Sequence, residues 1–291
     1  EETKENPIDE TNLFDEQPIL YRYGAEEVIF EGYTIDRKDQ GTNWGQVAIF
    51  ESANVTLRDM EITGVMGIQG TDVGWNTPAV QIVGAESCVL EHLRIHDVEA
   101  GKGQSAGMCK DGVAGGMVAG LYLKQISGLD ARNVLIHDLR GGASGSSDCV
   151  NAGPGGGAYG ILAEAVDGSI QHLTVTDIEG GAGATQQATE SFYLGAQSEG
   201  QVVILRNSIL TGATSTCLRN LETNPAGALQ VYNTGVHVCG VDFTTWSMNV
   251  AMVSGNLFVD PLFMSPSEND YRLSSASPHI DAGFPDEGLC Q

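Results

Sequence analysis

Basic residues are scarce in this 291-residue chain: five Lys and nine Arg stand against 38 Asp and Glu, for a formal net charge of −24. A surface of that sign repels the phosphates of nucleic acid and the headgroups of an anionic membrane, so neither is an expected partner. No apolar run approaches the roughly 20 residues of a membrane span. No leader segment is recognisable, so a secreted protein would be a mature form. CxxC spacing is absent, which leaves a zinc reading weak. No nucleophile-elbow sequence occurs, so a Ser/His/Asp triad has no anchor. No stretch sustains a 3.6-residue period between caps, and almost no helix is expected.

What the chain has is glycine, 38 residues of it, and a repeat. One pattern recurs: apolar, any, apolar, two polar, apolar, any, apolar. It appears as VIFEGYTI (28–35), VTLRDMEI (55–62), CVLEHLRI (88–95), LDARNVLI (129–136), GSIQHLTV (168–175), VILRNSIL (203–210) and VHVCGVDF (236–243). The second apolar position of each copy is Phe30, Leu57, Leu90, Ala131, Ile170, Leu205 and Val238. A short apolar strand precedes most copies: Val47–Phe50, Val80–Val83, Leu121–Leu123, Ile161–Ala163 and Leu229–Tyr232. A period of two inside every piece makes these strands. Several short strands per repeat, stacked in register, define an all-β, single-domain parallel β-helix of about seven turns. Inward positions would stack into apolar ladders. The outward column Glu31, Arg58, Glu91, Arg132, Gln171, Arg206 would alternate acid and base between turns.

The solenoid would span 25–256, behind an acidic tail or cap at 1–24 and ahead of a closing segment at 257–291. That closing segment contains Asp260-Pro261-Leu262-Phe263, Asp270-Tyr271-Arg272-Leu273 and Ser277-Pro278-His279-Ile280-Asp281-Ala282-Gly283. With the repeat, it resembles the right-handed parallel β-helix superfamily of pectate lyases and related secreted bacterial polysaccharide enzymes. The resemblance implies a right-handed coil and a secreted or cell-surface location in a bacterium. It implies no particular reaction, because this fold hosts lyases, hydrolases, adhesins and structural proteins.

Three glycine-rich insertions, 99–120, 140–160 and 179–192, follow successive copies and should leave one edge side by side. Glycine allows the positive-φ turns such loops need. Cys109 and Cys149 follow their repeats at nearly equal offsets, which makes a disulfide between them plausible and would pin two of these loops. Cys217, Cys239 and Cys290 offer another pair. Cys88 occupies an inward position and reads as a buried thiol. In the tail, Ile19-Leu20-Tyr21 is an apolar island that can add a strand to an open edge, either as the chain's own cap or on a neighbouring subunit.

Chemistry concentrates after the last apolar position of the repeat, where the copies read Thr63-Gly64, His96-Asp97, His137-Asp138 and Thr176-Asp177. Stacked, His96 with Asp97 and His137 with Asp138 could serve as acid/base pairs. The column Asp97, Asp138, Asp177 could hold Ca²⁺, or could instead bond turn amides. A second column, His92, Asn133, His172 and Asn207, reads as a hydrogen-bonded structural stack. Lys102 and Lys110 on the first insertion, with Arg140, form the best basic rim for a lyase. Trp44, Trp75 and Trp246 fit either sugar stacking or end-capping.

Three functions compete. The first is a secreted structural or interaction protein that self-assembles into a filament through its tail or its open solenoid ends. The second is a polysaccharide lyase acting on an acidic glycan. The third is a non-catalytic glycan-binding or adhesin module. A groove with Lys102, Lys110 or Arg140 beside the His/Asp columns would favour the enzyme, and exposed aromatics on one lateral face would favour the adhesin.

Overall fold

The computed structural model describes residues 13–14, 17–18, 20–36, 46–67, 74, 76–105, 112–146, 152–185, 187–221, 223–225, 228–240 and 250–283. Within them the chain is nearly all strand, and helix is limited to a 3-10 turn at Pro266–Glu268. A 16-stranded sheet runs in chain order through Leu20–Tyr23, Val47–Thr63, Thr77–Glu99, Val118–Arg140, Ala158–Val175, Val203–Arg206, Leu229–Tyr232 and Val250–Ser254. Its pairings are parallel throughout.

The repeat sets the register. Phe30 pairs with Leu57, Leu57 with Leu90, Leu90 with Ala131, Ala131 with Ile170, and Ile170 with Leu205. All six are buried in one continuous core. Full burial of a Leu, Ile or Phe is worth about 1.5–3 kcal/mol, so each ladder rung is a substantial term. The last copy falls elsewhere than its motif predicts. Leu205 pairs with Val231, not Val238, and Val238 is 65% exposed. Leu229–Tyr232 is therefore the ladder strand itself and not its forerunner. The preceding strands of the last two repeats are Thr189–Leu194 and Thr216–Asn220, which pair with each other. Their polar residues hide the alternation.

The corners explain the polar columns. Asp59, His92, Asn133, His172, Asn207 and Asn233 all have φ between 45° and 54°, stacked directly after the paired outward positions. Asp97, Asp138 and Asp177 form a second such column between Gly64 and Gly212. Left-handed backbone is tolerated by Gly, Asn, Asp and His and by few other residues. The columns are therefore required by the bends before any chemistry is asked of them. The charge ladder is partly formed: Arg58 meets Glu31 at 2.6 Å, whereas Arg132 turns to Asp130 at 2.7 Å on its own strand.

The insertions do lie side by side, as two hydrogen-bonded layers. In the outgoing layer, Ala100 N donates to Arg140 O and Gly141 N to Glu179 O. In the returning layer, Gly115 N donates to Pro154 O and Gly155 N to Thr185 O. Between the layers run Gly116 N to Gly101 O, Gly142 N to Gly116 O, Gly156 N to Gly142 O and Gly181 N to Gly156 O, at 2.8–2.9 Å. Positive φ is not what these glycines supply, since none of them within the layers adopts it. They supply closeness: a Cβ on Gly156 would lie 1.7 Å from Gly116 O. The layers form a fin in which the glycines between the arms leave no room for a side chain.

Cys217 and Cys239 form a disulfide across 22 residues, and Cys88 is a buried free thiol. Cys109, Cys149 and Cys290 lie outside the described residues, as do Lys110, Ile19 and the three tryptophans. Leu20 and Tyr21 pair in parallel with Val47 and Ala48 of the same chain. No described helix is long and apolar enough to cross a membrane.

Candidate functional site

Two lateral faces gather chemically capable side chains. The first is built on the last strand segment of each repeat. His96 and His137 pair one above the other, with rings parallel to 2° and centroids 4.8 Å apart. His96 Nδ1 lies 2.7 Å from Asp97 Oδ2 and 3.2 Å from Thr63 Oγ1, and its Nε2 lies 3.0 Å from Glu61 Oε1. His137 Nδ1 donates to Asp138 Oδ2 at 2.7 Å. Its Nε2 is buried with no hydrogen-bond partner, and the side chain is 0% exposed.

The closing segment covers this column. Its two strands, Phe263–Ser265 and Asp270–Leu273, pair antiparallel. Tyr271 lays its ring 4.8 Å from that of His137 and donates its hydroxyl to Asp177 Oδ2 at 2.9 Å. Phe263 packs edge-on against Tyr271. Burial pushes the His137 imidazole below its ordinary value, opposed by Asp138 and reinforced by His96 and Arg94. Burial, then the bond to Asp177, pushes the Tyr271 phenol far up.

Asp97, Asp138 and Asp177 thus do stack, but each carboxylate engages a different partner. Among the described residues no group of three or more His, Cys, Asp or Glu side chains is arranged to hold a metal ion. Beside the column lies an open cleft of about 300 Å³ bounded by Met66, Asp97, Glu99, Asp138 and Arg140. A neighbouring cleft of about 360 Å³ shares Met66 and Glu99 and reaches Lys102, Ser105 and Ser146. Arg140 and Lys102 are thus brought to adjoining clefts. Both are tethered by acids, Lys102 to Glu99 at 3.7 Å and Arg140 to Glu179 at 3.8 Å. Three carboxylates surround the single guanidinium of the first cleft, a poor setting for a polyanion.

The second face escaped sequence reading. It lies on the strand segments that precede the motif, where Tyr122, Tyr159, Tyr193 and Arg219 point outward. Tyr193 pairs with Arg219, and Tyr159 with Glu190. Arg219 donates to Glu190 Oε1 at 2.9 Å and sits 5.6 Å over the Tyr193 ring. Tyr159 and Tyr193 are 5.9 Å apart. Lys124 meets Glu164 at 3.0 Å along the same face. The Glu190 side chain is 2% exposed, and its Oε2 has no partner. Burial pushes its carboxyl above the ordinary range, with Arg219 opposing. The same ion pair raises Arg219. Burial, then the Glu190 charge, pushes Tyr159 up to about 12. The tyrosines remain partly open to solvent. The available signal was the Tyr-rich outward positions beside Leu121 and Phe192. It went unread because the strand Thr189–Leu194 was not recognised.

Comparison with known proteins finds no family model, no curated protein and no solved structure that matches the chain.

Proposed function

We propose that the chain is one right-handed parallel β-helix of about seven turns that acts outside the cell as a non-catalytic glycan-binding module. The observation that carries this reading is the face of Tyr122, Tyr159 and Tyr193 interleaved with the Glu190–Arg219 and Lys124–Glu164 pairs. Aromatic faces accept the apolar side of a pyranose, and paired charges offer hydrogen bonds to its hydroxyls. Each cation on this face has its own carboxylate, so a neutral glycan suits it better than a polyuronate. The disulfide fits an oxidising compartment. The His/Asp column fits the non-catalytic side of the reading, because its carboxylates are engaged by His96, His137 and Tyr271 and the one unpartnered ring nitrogen, His137 Nε2, is buried.

Titration calorimetry against neutral and uronate oligosaccharides tests the proposal. Binding of a neutral glycan that weakens at least about tenfold in Tyr193→Ala is expected, corresponding to about 1.4 kcal/mol. Binding unchanged in Tyr159→Ala and Tyr193→Ala would remove the face from function. Depolymerisation of a uronate polymer that requires Arg140 would replace the reading with a lyase.

Self-association is the second reading. Among the described residues Leu20–Tyr23, Glu27–Glu31 and Thr34–Asp36 at one end of the sheet and Val250–Ser254 at the other each pair with a single described strand. Phe258, Val259, Leu262 and Met264 are exposed in the closing segment. Open edges beside apolar surface are the setting in which chains stack end to end. Negative-stain microscopy of the native chain and of a chain lacking residues 1–24 tests it. Uniform single rods in both samples would exclude it.

A further inference from the structure

The closing segment rests on a histidine that has no place for a second proton. His137 donates its Nδ1–H to Asp138 Oδ2, so its neutral form carries the lone pair on Nε2. That atom is buried and unpartnered, in an imidazole whose ring lies 4.8 Å from that of Tyr271. A proton added there would need water as its acceptor, and water reaches it once Tyr271 lifts away. We propose that the hairpin Phe263–Leu273 is an acid-released latch, held down by Tyr271 over neutral His137 and freed when His137 takes up a proton.

Every charged group around the ring bears on this. On its own strand, Asp138 accepts from Nδ1 and favours the cation. From the preceding repeat, His96 stacks on the opposite face at 4.8 Å, and Arg94 adds a nearby positive charge. Glu61 and Asp97 face His96 rather than His137. From the following repeat, Asp177 spends its Oδ2 on Tyr271. From the hairpin, Asp270 and Arg272 neutralise each other at 2.7 Å. Burial together with His96 and Arg94 outweighs Asp138, and docked His137 holds its proton less firmly than the ordinary group.

The sign follows. The docked state binds fewer protons than the released state. Docking is therefore complete above the ordinary histidine value of roughly 6.5 and is lost as pH falls through it. One linked proton gives a tenfold change per pH unit. Release would bare His137 and the Asp177 carboxylate, so the latch would make exposure of the His/Asp column depend on acidity.

Hydrogen exchange of the amides in Asp270–Leu273, corrected for intrinsic rate, reads the equilibrium. Protection should fall about tenfold per unit below roughly pH 6.5 while the parallel sheet stays protected. His137→Gln should abolish the slope. Tyr271→Phe should lower protection at every pH by removing the bond to Asp177, yet keep the slope. His96→Gln should keep it as well. A wild-type slope near zero, or a slope that survives in His137→Gln, would overturn the proposal. Should His137→Gln fail to fold, NMR titration of the wild-type histidine rings decides the matter. His137 must change protonation in step with loss of hairpin protection. A His137 that protonates while the hairpin stays docked would overturn the latch.

Discussion

Replacing Gly156 by Ala is the sharpest test of the fin. The added Cβ would sit 1.7 Å from Gly116 O and 2.6 Å from Gly116 C. Ordinary contact begins near 3.4 Å, so the two arms must separate by 3.4 − 1.7, or about 1.7 Å. Both obstructing atoms are backbone, and no flexible side chain can absorb the shift. The bonds Gly156 N to Gly142 O and Gly181 N to Gly156 O, 2.8 and 2.9 Å long, cannot survive that displacement. The bond from Gly142 N to Gly116 O is strained with them. Three bonds at about 1 kcal/mol each, or 1–3 kcal/mol where a group stays buried and unpaired, put the loss at about 3 kcal/mol or more.

The fin hangs from one edge of the sheet, so this loss can appear as local opening before global unfolding. Hydrogen exchange should show the amides of 100–105, 140–146 and 179–184 losing protection together. Amides of the ladder strands around Leu90 and Ala131 should stay protected. Denaturant unfolding measures the global share of the loss. Ala182→Ser, at an exposed site on the same arms, should change stability by no more than about 0.5 kcal/mol. A Gly156→Ala chain with wild-type protection and stability within about 0.5 kcal/mol would refute the close-packed fin.

Three further outcomes follow from the same structure. Leu90→Ala empties a fully buried rung between Leu57 and Ala131 and should cost about 2–5 kcal/mol in denaturant unfolding, whereas a loss under 1 kcal/mol would mean that the ladder is not packed there. Reduction of Cys217–Cys239, or its replacement by two serines, should cost about 3 kcal/mol from loop closure over 22 residues, while the Cys88 thiol, pushed up to about 12 by burial, should stay inert to thiol reagents until the chain unfolds. Burial holds the proton on folded Glu190 more firmly than on the unfolded chain, so its contribution is greatest below the ordinary glutamate value and declines as pH rises through that value toward the raised one. Glu190→Gln should lack that decline, and a wild-type advantage that instead grows with pH would show that the pair with Arg219 outweighs burial.

The parts of this molecule that were legible in its sequence are those where one physical demand acts on every repeat. Inward stacking asks for an apolar residue at the same place each time, so the run from Phe30 to Leu205 could be placed to the residue. The left-handed corner asks for Asn, Asp, His or Gly, so the columns of His92 and Asp97 were visible as columns, although a bend and a catalytic array leave the same trace. Where the demand lapsed, the pattern misled. Val236 and Val238 imitate the motif, but Val238 lies at a corner, with φ 48°. The ladder passes through Val231, seven positions earlier.

Glycine was readable as a composition and not as a reason. Turn flexibility and close backbone contact select the same residue, and the distances between arms separate the two. The Tyr/Glu/Arg face and the cover of Tyr271 over His137 were illegible for a different cause. Both depend on which residues of distant segments meet, and the stretch that separates Asp177 from Tyr271, 94 positions apart, carries no periodic sign of that meeting. Repeats stacked in one parallel sheet make their ladders local and their covers long-range. The features that set access to its faces are therefore those that the repeat does not encode.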